Sequence, residues 1–337
     1  MINNTGRCKI IAEAGVNHNG QLDLAYQLCD AAKRSGADVI KFQTWDTDCL
    51  ITKNVAMAEY QKDNTNQIES QYDMLKRLEL TRDQFREIKG YCDRIGIVFA
   101  STADEMDSLK FLVSIGVPFI KVGSGDIGNI PYLRFIGEKG MPVIMSTGMC
   151  SLGDVELSIS ALREGGATDI SLLHCTTNYP CPYGEVNLNA ITTLRNAFGL
   201  PVGLSDHTLG TEIAVAAVAM GATIIEKHLT LDRNMIGPDH VASTEPKDFK
   251  AMVDQIRNVE LGMGDGIKQI TASEKRIKPA VTKRIVALKS INKGEVFSAN
   301  NITVKRNDTG LYARYWDMII GKYSDKSYEK DQGIVLW

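Results

Sequence analysis

One pattern constrains this chain above all others. A short apolar strand is followed by a helix, and the pair recurs eight times within residues 1–264. The strands read Cys8–Ala12, Asp38–Phe42, Ile97–Ser101, Pro118–Val122, Pro142–Ser146, Asp169–Cys175, Pro201–Ser205 and Thr223–His228. The helices read Leu22–Ser35, Arg82–Ile95, Glu105–Ile115, Tyr132–Lys139, Val155–Glu164 and Leu188–Ala197, then an alanine- and valine-rich helix before the last strand, and Pro246–Gly262 after it. In the first helix Leu24, Ala25, Leu28 and Ala31–Ala32 fall in helical register, and Gly36 is placed to close it. Several strands are apolar throughout, as expected where helices cover one face and a packed interior the other. Right-handed strand–helix–strand units repeated eight times predict an α/β fold, a (β/α)8 TIM barrel with its site at the C-terminal strand ends. An open doubly wound sheet is the alternative, but it does not require the eightfold count, and no GxGxxG follows the first strand. The polar insertion Trp45–Ser70, followed by a helix at Gln71–Leu78, is of a size expected to cover a substrate.

The strand ends carry the chemistry. In order they offer Glu13, Lys41 with Gln43, Ser101, Lys121 with Ser124, Ser146, Thr176–Thr177 with Tyr179, Ser205 with His207, and His228. A polar group at all eight ends is hard to explain as surface decoration. His207 and His228 end neighbouring strands, with Asp206, Glu226 and Asp239 close in sequence. That makes a plausible site for a divalent cation. Two histidines satisfied by core hydrogen bonds are the plainer reading. Two lysines, four serines and the glycine turns GSGD (Gly123–Asp126) and STG (Ser146–Gly148) suit a phosphate, with lysine as point charge and hydroxyls and loop N–H groups as donors. A tight glycine turn alone would also explain KVGSGD.

Composition matters mainly by what it excludes. The net charge of -3 carries no bulk basic bias, so nothing argues for nucleic-acid binding. No apolar run is long enough to span a bilayer, and MINNTGRCK lacks the apolar core of a signal peptide. Seven cysteines without CxxC pairs read as reduced thiols of a cytoplasmic protein, and Cys175 and Cys181 near a strand end read as packing before catalysis. Residues 265–283 are polar, basic and aperiodic, the signature of a linker. Residues 284–337 alternate short apolar runs with KG, NN, DTG and QG turns, which predicts a small, loop-rich β domain.

The segments IIAEAGVNHNG, ADVIKFQTW, KVGSGD, VIMSTGM, LLHCTTNYPCPYGEVNL, GLSDHTLG, IIEKHLTLDRNMIGPDH and KRIVALKSINKGEVFSANNITVKR, in this order, resemble the sialic acid synthase family over essentially the whole chain. The last of them is similar to that family's antifreeze-like (SAF) domain. The joint occurrence of SDHTLG, EKHLTLD and GPDH carries most of the specificity. The resemblance implies condensation of phosphoenolpyruvate with the open-chain aldehyde of an N-acetylated hexosamine, giving a nonulosonic acid and phosphate. It implies that His207 and His228 hold the cation, Mn2+ foremost, with Mg2+ or Co2+ as alternatives. Lys41, Lys121, Ser124, Ser146 and Ser205 match positions that bind phosphoenolpyruvate. Glu13 matches the catalytic carboxylate, Asp239 a sugar-side carboxylate, and Gln43 and Tyr179 line the same cavity. The family further implies a domain-swapped homodimer in which Arg306 caps the partner's sugar site.

The chain departs from the family pattern at three places. NDTG follows Arg306 in place of Pro-Gly-x-Gly, a change expected to loosen that loop. Thr177 replaces an Asn carried by some neuraminate synthases, and STADE replaces STPF. These bear on the sugar more than on the reaction. N-acetylmannosamine is the first expectation, with N-acetylneuraminate as product. A 2,4-diacetamido-2,4,6-trideoxyhexose, giving legionaminic or pseudaminic acid, is the alternative. A metal-dependent barrel aldolase or epimerase would not need the anion pocket. A non-catalytic sugar-binding protein would have no use for Glu13, Lys41, Lys121, His207 and His228 together.

Overall fold

The computed structural model describes residues 6–65 and 69–335. The chain divides into two compact units, Met1–Gly264 and Asp265–Trp337. In the first, eight parallel strands close into a barrel in sequence order, and the last pairs with the first. The strands are β1 (Lys9–Gly15), β2 (Val39–Thr44), β3 (Val98–Ala103), β4 (Ile120–Val122), β5 (Val143–Ser146), β6 (Ile170–Cys175), β7 (Val202–Asp206) and β8 (Ile224–His228). The helices are α1 (Leu22–Arg34), α2 (Thr47–Leu50), α3 (Glu59–Thr65), α4 (Gln71–Leu78), α5 (Arg82–Ile95), α6 (Met106–Ile115), α7 (Ile130–Gly137), α8 (Leu152–Glu164), α9 (Asn189–Phe198), α10 (Glu212–Ala219) and α11 (Pro246–Met263). This is the TIM barrel that the eightfold pattern predicts.

Local chemistry explains where the helices begin and end. Thr81 and Gln84 form a reciprocal capping box at the start of α5, and Gly96 ends it in the left-handed region. Ser151 and Asp154 do the same for the start of α8. Between strands and helices runs one continuous apolar layer. Phe42, Phe85 and Phe99 meet there, each 3% exposed or less. Each such side chain contributes roughly 1.5–3 kcal/mol through burial.

The barrel interior is a second, smaller core of Ile11, Val39, Ala100, Phe119, Ile144, Leu173 and Ile224. Six strands supply one residue each, Phe119 stands just before β4, and β7 supplies Gly203. A Cβ on Gly203 would stand 2.2 Å from the Ile224 carbonyl and 2.8 Å from Leu173, so only glycine lets β7 close against β8. This layer plugs the barrel and forms the floor on which the strand ends build a site.

The stretch Trp45–Ser70, expected as a polar loop, contains α2, α3 and a bridge between Ala56 and Ser70. Residues 66–68 of it lie outside the described residues. Val16, Trp45, Met57, Met74 and Leu78 give this insertion an apolar cluster of its own.

In the second unit, β9 (Lys283–Ala287) pairs antiparallel with β10 (Ile302–Arg306). Ile285, Ile291, Phe297, Ile302, Ile319, Tyr328 and Ile334 make its core. The stretch read as a plain linker contains a helix, α12 (Ala272–Val281), started by a Thr271–Glu274 capping box. None of its residues is buried and Pro279 lies inside it, so the capping box starts it without a buried apolar face that sequence reading could detect. The NDTG turn is also tighter than expected. Asn307 donates to the Thr309 carbonyl at 3.0 Å, and Gly310, at φ +102°, leaves no room for a Cβ beside Gly333.

Candidate active site

Side chains alternate in and out along a strand, so the residue two places beyond each floor residue also points into the barrel. Applied around the floor, this step selects Glu13, Lys41, Thr102, Lys121, Ser146, Cys175, Ser205 and Glu226. All eight line one cavity of about 180 Å³. One step further stand Gln43, Asp104, Gly123, Thr177, His207 and His228, lining the same cavity nearer its mouth. A floor of apolar side chains thus gives way within one pleat to a ring of charges and hydroxyls. A larger hollow of about 880 Å³ lies between the ends of β5 and β6. It contains no lysine, and its one carboxylate is Glu185, so the ionic chemistry belongs to the smaller cavity.

The ring holds two cations and two anions. Lys41 Nζ lies 2.8 Å from Glu13 and 3.7 Å from Glu226, and Lys121 Nζ lies 3.7 Å from Glu226. Lys41 also donates to Thr102 Oγ1 at 2.9 Å, and Lys121 to Ser146 Oγ at 2.7 Å. The lysines expected as point charges for a phosphate each have a carboxylate neighbour. Burial pushes the Glu13 carboxyl up to about 7, with Glu226 adding to the rise and Lys41 opposing it. Burial alone would raise Glu226 too, but Lys121 and Lys41 hold it below the usual range. One carboxylate is therefore poised to exchange a proton near neutral pH while the other stays charged. Ser124 Oγ accepts from the Gly148 N–H at 2.9 Å, joining the GSGD and STG turns at the cavity edge.

His207 and His228 stand side by side with ring centroids 5.4 Å apart. The register of β7 with β8 brings them together, because Ser205 pairs Glu226 and Asp206 pairs Lys227. His207 Nδ1 hydrogen-bonds the Thr176 carbonyl at 2.8 Å, and its Nε2 meets the Ser205 hydroxyl at 3.5 Å on the cavity side. His228 Nδ1 is buried with no hydrogen-bond partner among the described residues and lies 3.7 Å from Asp239 Oδ2. Burial drives the His228 imidazole well below its usual range, and the charges of His207 and the lysines add to this. A neutral imidazole with an unpartnered Nδ1, beside a second one whose Nε2 has only a long contact to a hydroxyl, is a donor set that suits a divalent transition metal. Among the described residues no three His, Cys, Asp or Glu side chains converge at metal-binding spacing, so the protein side would supply these two imidazoles.

One aromatic ring covers the histidines and a second backs it. Tyr179 lies 4.1 Å from His207 and 5.5 Å from His228, and Tyr60 of α3 lies 5.1 Å from Tyr179. Gly15 makes the opposite wall at φ +50°. A Cβ there would come within 3.5 Å of His228, Asp239 and Glu13 together.

Of the residues singled out from sequence, Glu13, Lys41, Gln43, Lys121, Ser124, Ser146, Tyr179, Ser205, His207 and His228 line this cavity, with Asp239 beside His228. Arg306 lies at the end of β10 in the second unit, exposed to solvent. Two expectations need correcting. The Ser101 hydroxyl turns away and meets Thr44 Oγ1 at 2.7 Å; the inward residue of β3 is Thr102. Asp206 also points outward, where its carboxylate pairs with Lys227 at 2.7 Å, both of them buried. Sequence reading missed Thr102, Asp104 and Tyr60, and treated Glu226 only as a flanking charge and Cys175 as packing. Counting in steps of two from the apolar floor would have found all but Tyr60. Cys175 stands 4.0 Å from His207 Nδ1. Burial raises its thiol, but His207, Ser124 and Lys121 outweigh that and bring it to about 7.

The NeuB family profile matches residues 28–268, and the SAF domain profile matches residues 283–336. The N,N'-diacetyllegionaminic acid synthase of Campylobacter jejuni is 45% identical over 325 residues, covering 96% of this chain and 97% of that protein. The protein of the same name from Legionella pneumophila is 44% identical over 318 residues, covering 93% and 89%. The crystal structure of N-acetylneuraminic acid (sialic acid) synthetase from Leptospira borgpetersenii, in complex with citrate, superposes with a TM-score of 0.72 at 34% identity, over 80% of this chain and 90% of that one.

Proposed function

The chain belongs to the NeuB family, and from that premise we propose that it condenses phosphoenolpyruvate with 2,4-diacetamido-2,4,6-trideoxymannose, giving a legionaminic acid and inorganic phosphate. The observation that carries the reaction class is the closed ring of Lys41, Lys121, Glu13 and Glu226, set beneath two adjacent histidines. Sequence reading placed N-acetylmannosamine first. The relatives at 45% and 44% identity are named for the diacetyl sugar acid and favour the alternative.

In this reading Lys41, Lys121, Ser124, Ser146 and Ser205 bind the phosphate and carboxylate of phosphoenolpyruvate. The enol carbon forms the new bond to the aldehyde carbon. Water adds to the carbon that carries phosphate, and the carbon–oxygen bond to phosphate breaks. Glu13 holds or releases the proton that these steps exchange, for which a carboxyl pushed up to about 7 is suited. Gln43 donates to Glu13 Oε1 at 3.2 Å and keeps that carboxylate aimed at the cavity. His207 and His228 would hold a divalent cation, Mn2+ foremost, which supplies Lewis acidity at the aldehyde oxygen. Asp239 meets the sugar, and Tyr179 shields the histidines from solvent. As part of the same proposal, the protein is a homodimer in which Arg306 reaches the sugar bound by its partner. Arg306→Ala is then expected to raise the sugar's KM and leave that of phosphoenolpyruvate unchanged.

The test is phosphate release from phosphoenolpyruvate with Mn2+, offering each of the two sugars in parallel. The expected result is a preference for the diacetamido sugar of about tenfold or more in kcat/KM, the scale that a few apolar groups provide. A preference for N-acetylmannosamine overturns the choice of sugar and leaves the reaction standing. Release that does not depend on sugar overturns the reaction.

A further inference from the structure

We propose that Tyr60 is a specificity-determining residue, whose ring forms the wall against which the far end of the acceptor sugar packs. The inference rests on the condensation reading above and assigns part of that site to the insertion after β2.

Three observations carry it. First, the ring of Tyr60 does not join the apolar cluster that holds the insertion together, which is built from Val16, Trp45, Met57, Met74 and Leu78. It is turned toward the barrel mouth instead, with its centroid 5.1 Å from Tyr179 at an interplanar angle of 32°. Second, Tyr179 lies directly over His207 and His228, so an acceptor with its aldehyde at the histidines runs outward past Tyr179 and meets Tyr60 next. Third, α3 is fastened at that position. Asn64 donates to the Pro238 carbonyl at 2.6 Å, which ties the helix to the loop bearing Asp239. Gln61 Nε2 reaches the Tyr60 hydroxyl at 3.4 Å and steadies the ring.

An aromatic face so placed has a definite preference. It packs well against methyl groups and C–H faces and offers no hydrogen bonds from its ring. A 6-deoxy sugar with an acetamido group at C4 presents two methyl groups at that end. N-acetylmannosamine presents hydroxyls there, which lose water on packing against the ring without gaining a partner. Discrimination by an apolar wall of this kind reaches only about tenfold to a hundredfold, so the effect belongs in the KM of one sugar and leaves the chemistry alone.

The experiment uses the full chain with Mn2+ and phosphoenolpyruvate, and compares wild type with Tyr60→Ser, Tyr60→Phe and Tyr60→Leu. Tyr60→Ser is expected to raise KM for the diacetamido sugar about tenfold, with kcat and the KM for phosphoenolpyruvate within about twofold of wild type and the KM for N-acetylmannosamine little altered. Tyr60→Phe keeps the ring and should restore the preference. Tyr60→Leu keeps apolar volume, and serves in place of serine if that variant does not fold. Equal losses for both sugars, or a rise in the KM for phosphoenolpyruvate, would mean a structural role and overturn the proposal. The wild-type arms read the underlying function separately. If wild type prefers N-acetylmannosamine while Tyr60→Ser still weakens only the diacetamido sugar, the choice of sugar falls and the wall stands. If wild type releases no phosphate with either sugar, both fall.

Discussion

Glu13 and Lys41 meet at 2.8 Å inside the barrel, at 1% and 2% exposure. The pair explains how a carboxyl can be pushed to about 7 and still be ionisable. Burial raises it, and Lys41 limits the rise. Lys41→Met removes that restraint, so Glu13 should be protonated at pH 8, and phosphate release should fall at least about a hundredfold. Stability should fall more at pH 8, where the folded variant must take up a proton at Glu13 that the unfolded chain does not hold, than at pH 5, where Glu13 is already neutral. Urea unfolding at the two pH values checks this. Equal losses at both would mean that the lysine acts through packing.

Asp104 provides a second pH effect. Its enclosure and the charge of Asp126 push its carboxyl up to about 7, against the opposing pull of Lys41 and Lys121. As pH rises from about 4 to 7, the unfolded chain releases this proton before the folded chain does, so stability from this group declines over that window and is level above it. Asp104→Asn should therefore raise the melting temperature at pH 8 and leave it unchanged at pH 4. A gain of the same size at pH 4 would contradict the assignment.

Asp206 and Lys227 form an ion pair outside the barrel wall, between the two histidine-bearing strands. Lys227 Nζ reaches Asp206 Oδ2 at 2.7 Å and the Thr208 carbonyl at 2.8 Å. Asp206→Ala strands a buried ammonium and should cost roughly 3–5 kcal/mol in chemical denaturation. The exposed pair Lys250–Asp254 on α11 serves as the control, and Asp254→Ala should produce no measurable change. If the two variants behave alike, the buried pair is not what secures β7 against β8.

The two imidazoles lead to a metal prediction. Excess chelator should abolish phosphate release, and Mn2+ should restore it. His207→Ala and His228→Ala should each weaken Mn2+ binding measured calorimetrically, at least tenfold by the scale of metal-site substitutions. Activity that persists in chelator would remove the cation from the reaction.

The barrel was readable because its signals are local and repeated. Apolar strands, helix caps and even spacing recur eight times, and an error of one or two residues at a boundary does not change the count. Expected β1 stopped at Ala12, yet the strand runs on to Gly15 and takes Glu13 with it. The candidate site was legible where a polar side chain follows an apolar run, as Glu13, Lys121 and Ser146 do. It was misread where two residues of one kind compete for the same place. Ser101 and Thr102 are equally good strand ends by composition, as are Asp206 and Glu226 as acidic neighbours of the histidines. In each pair one member faces the cavity and the other the barrel wall.

The sequence by itself determined the architecture, the order of the strands and the kinds of group gathered at their ends, because strand and helix periodicities are properties of neighbouring residues. Only the tertiary structure decided which of those groups face one another. Barrel closure sets β8 against β1 and fixes the register, and a shift of one residue turns every side chain to the other face. That register puts Glu226 between two lysines and sends Asp206 to Lys227. The contact of Tyr60 with Tyr179 joins an insertion after β2 to the loop after β6, and no local pattern in the sequence encodes it.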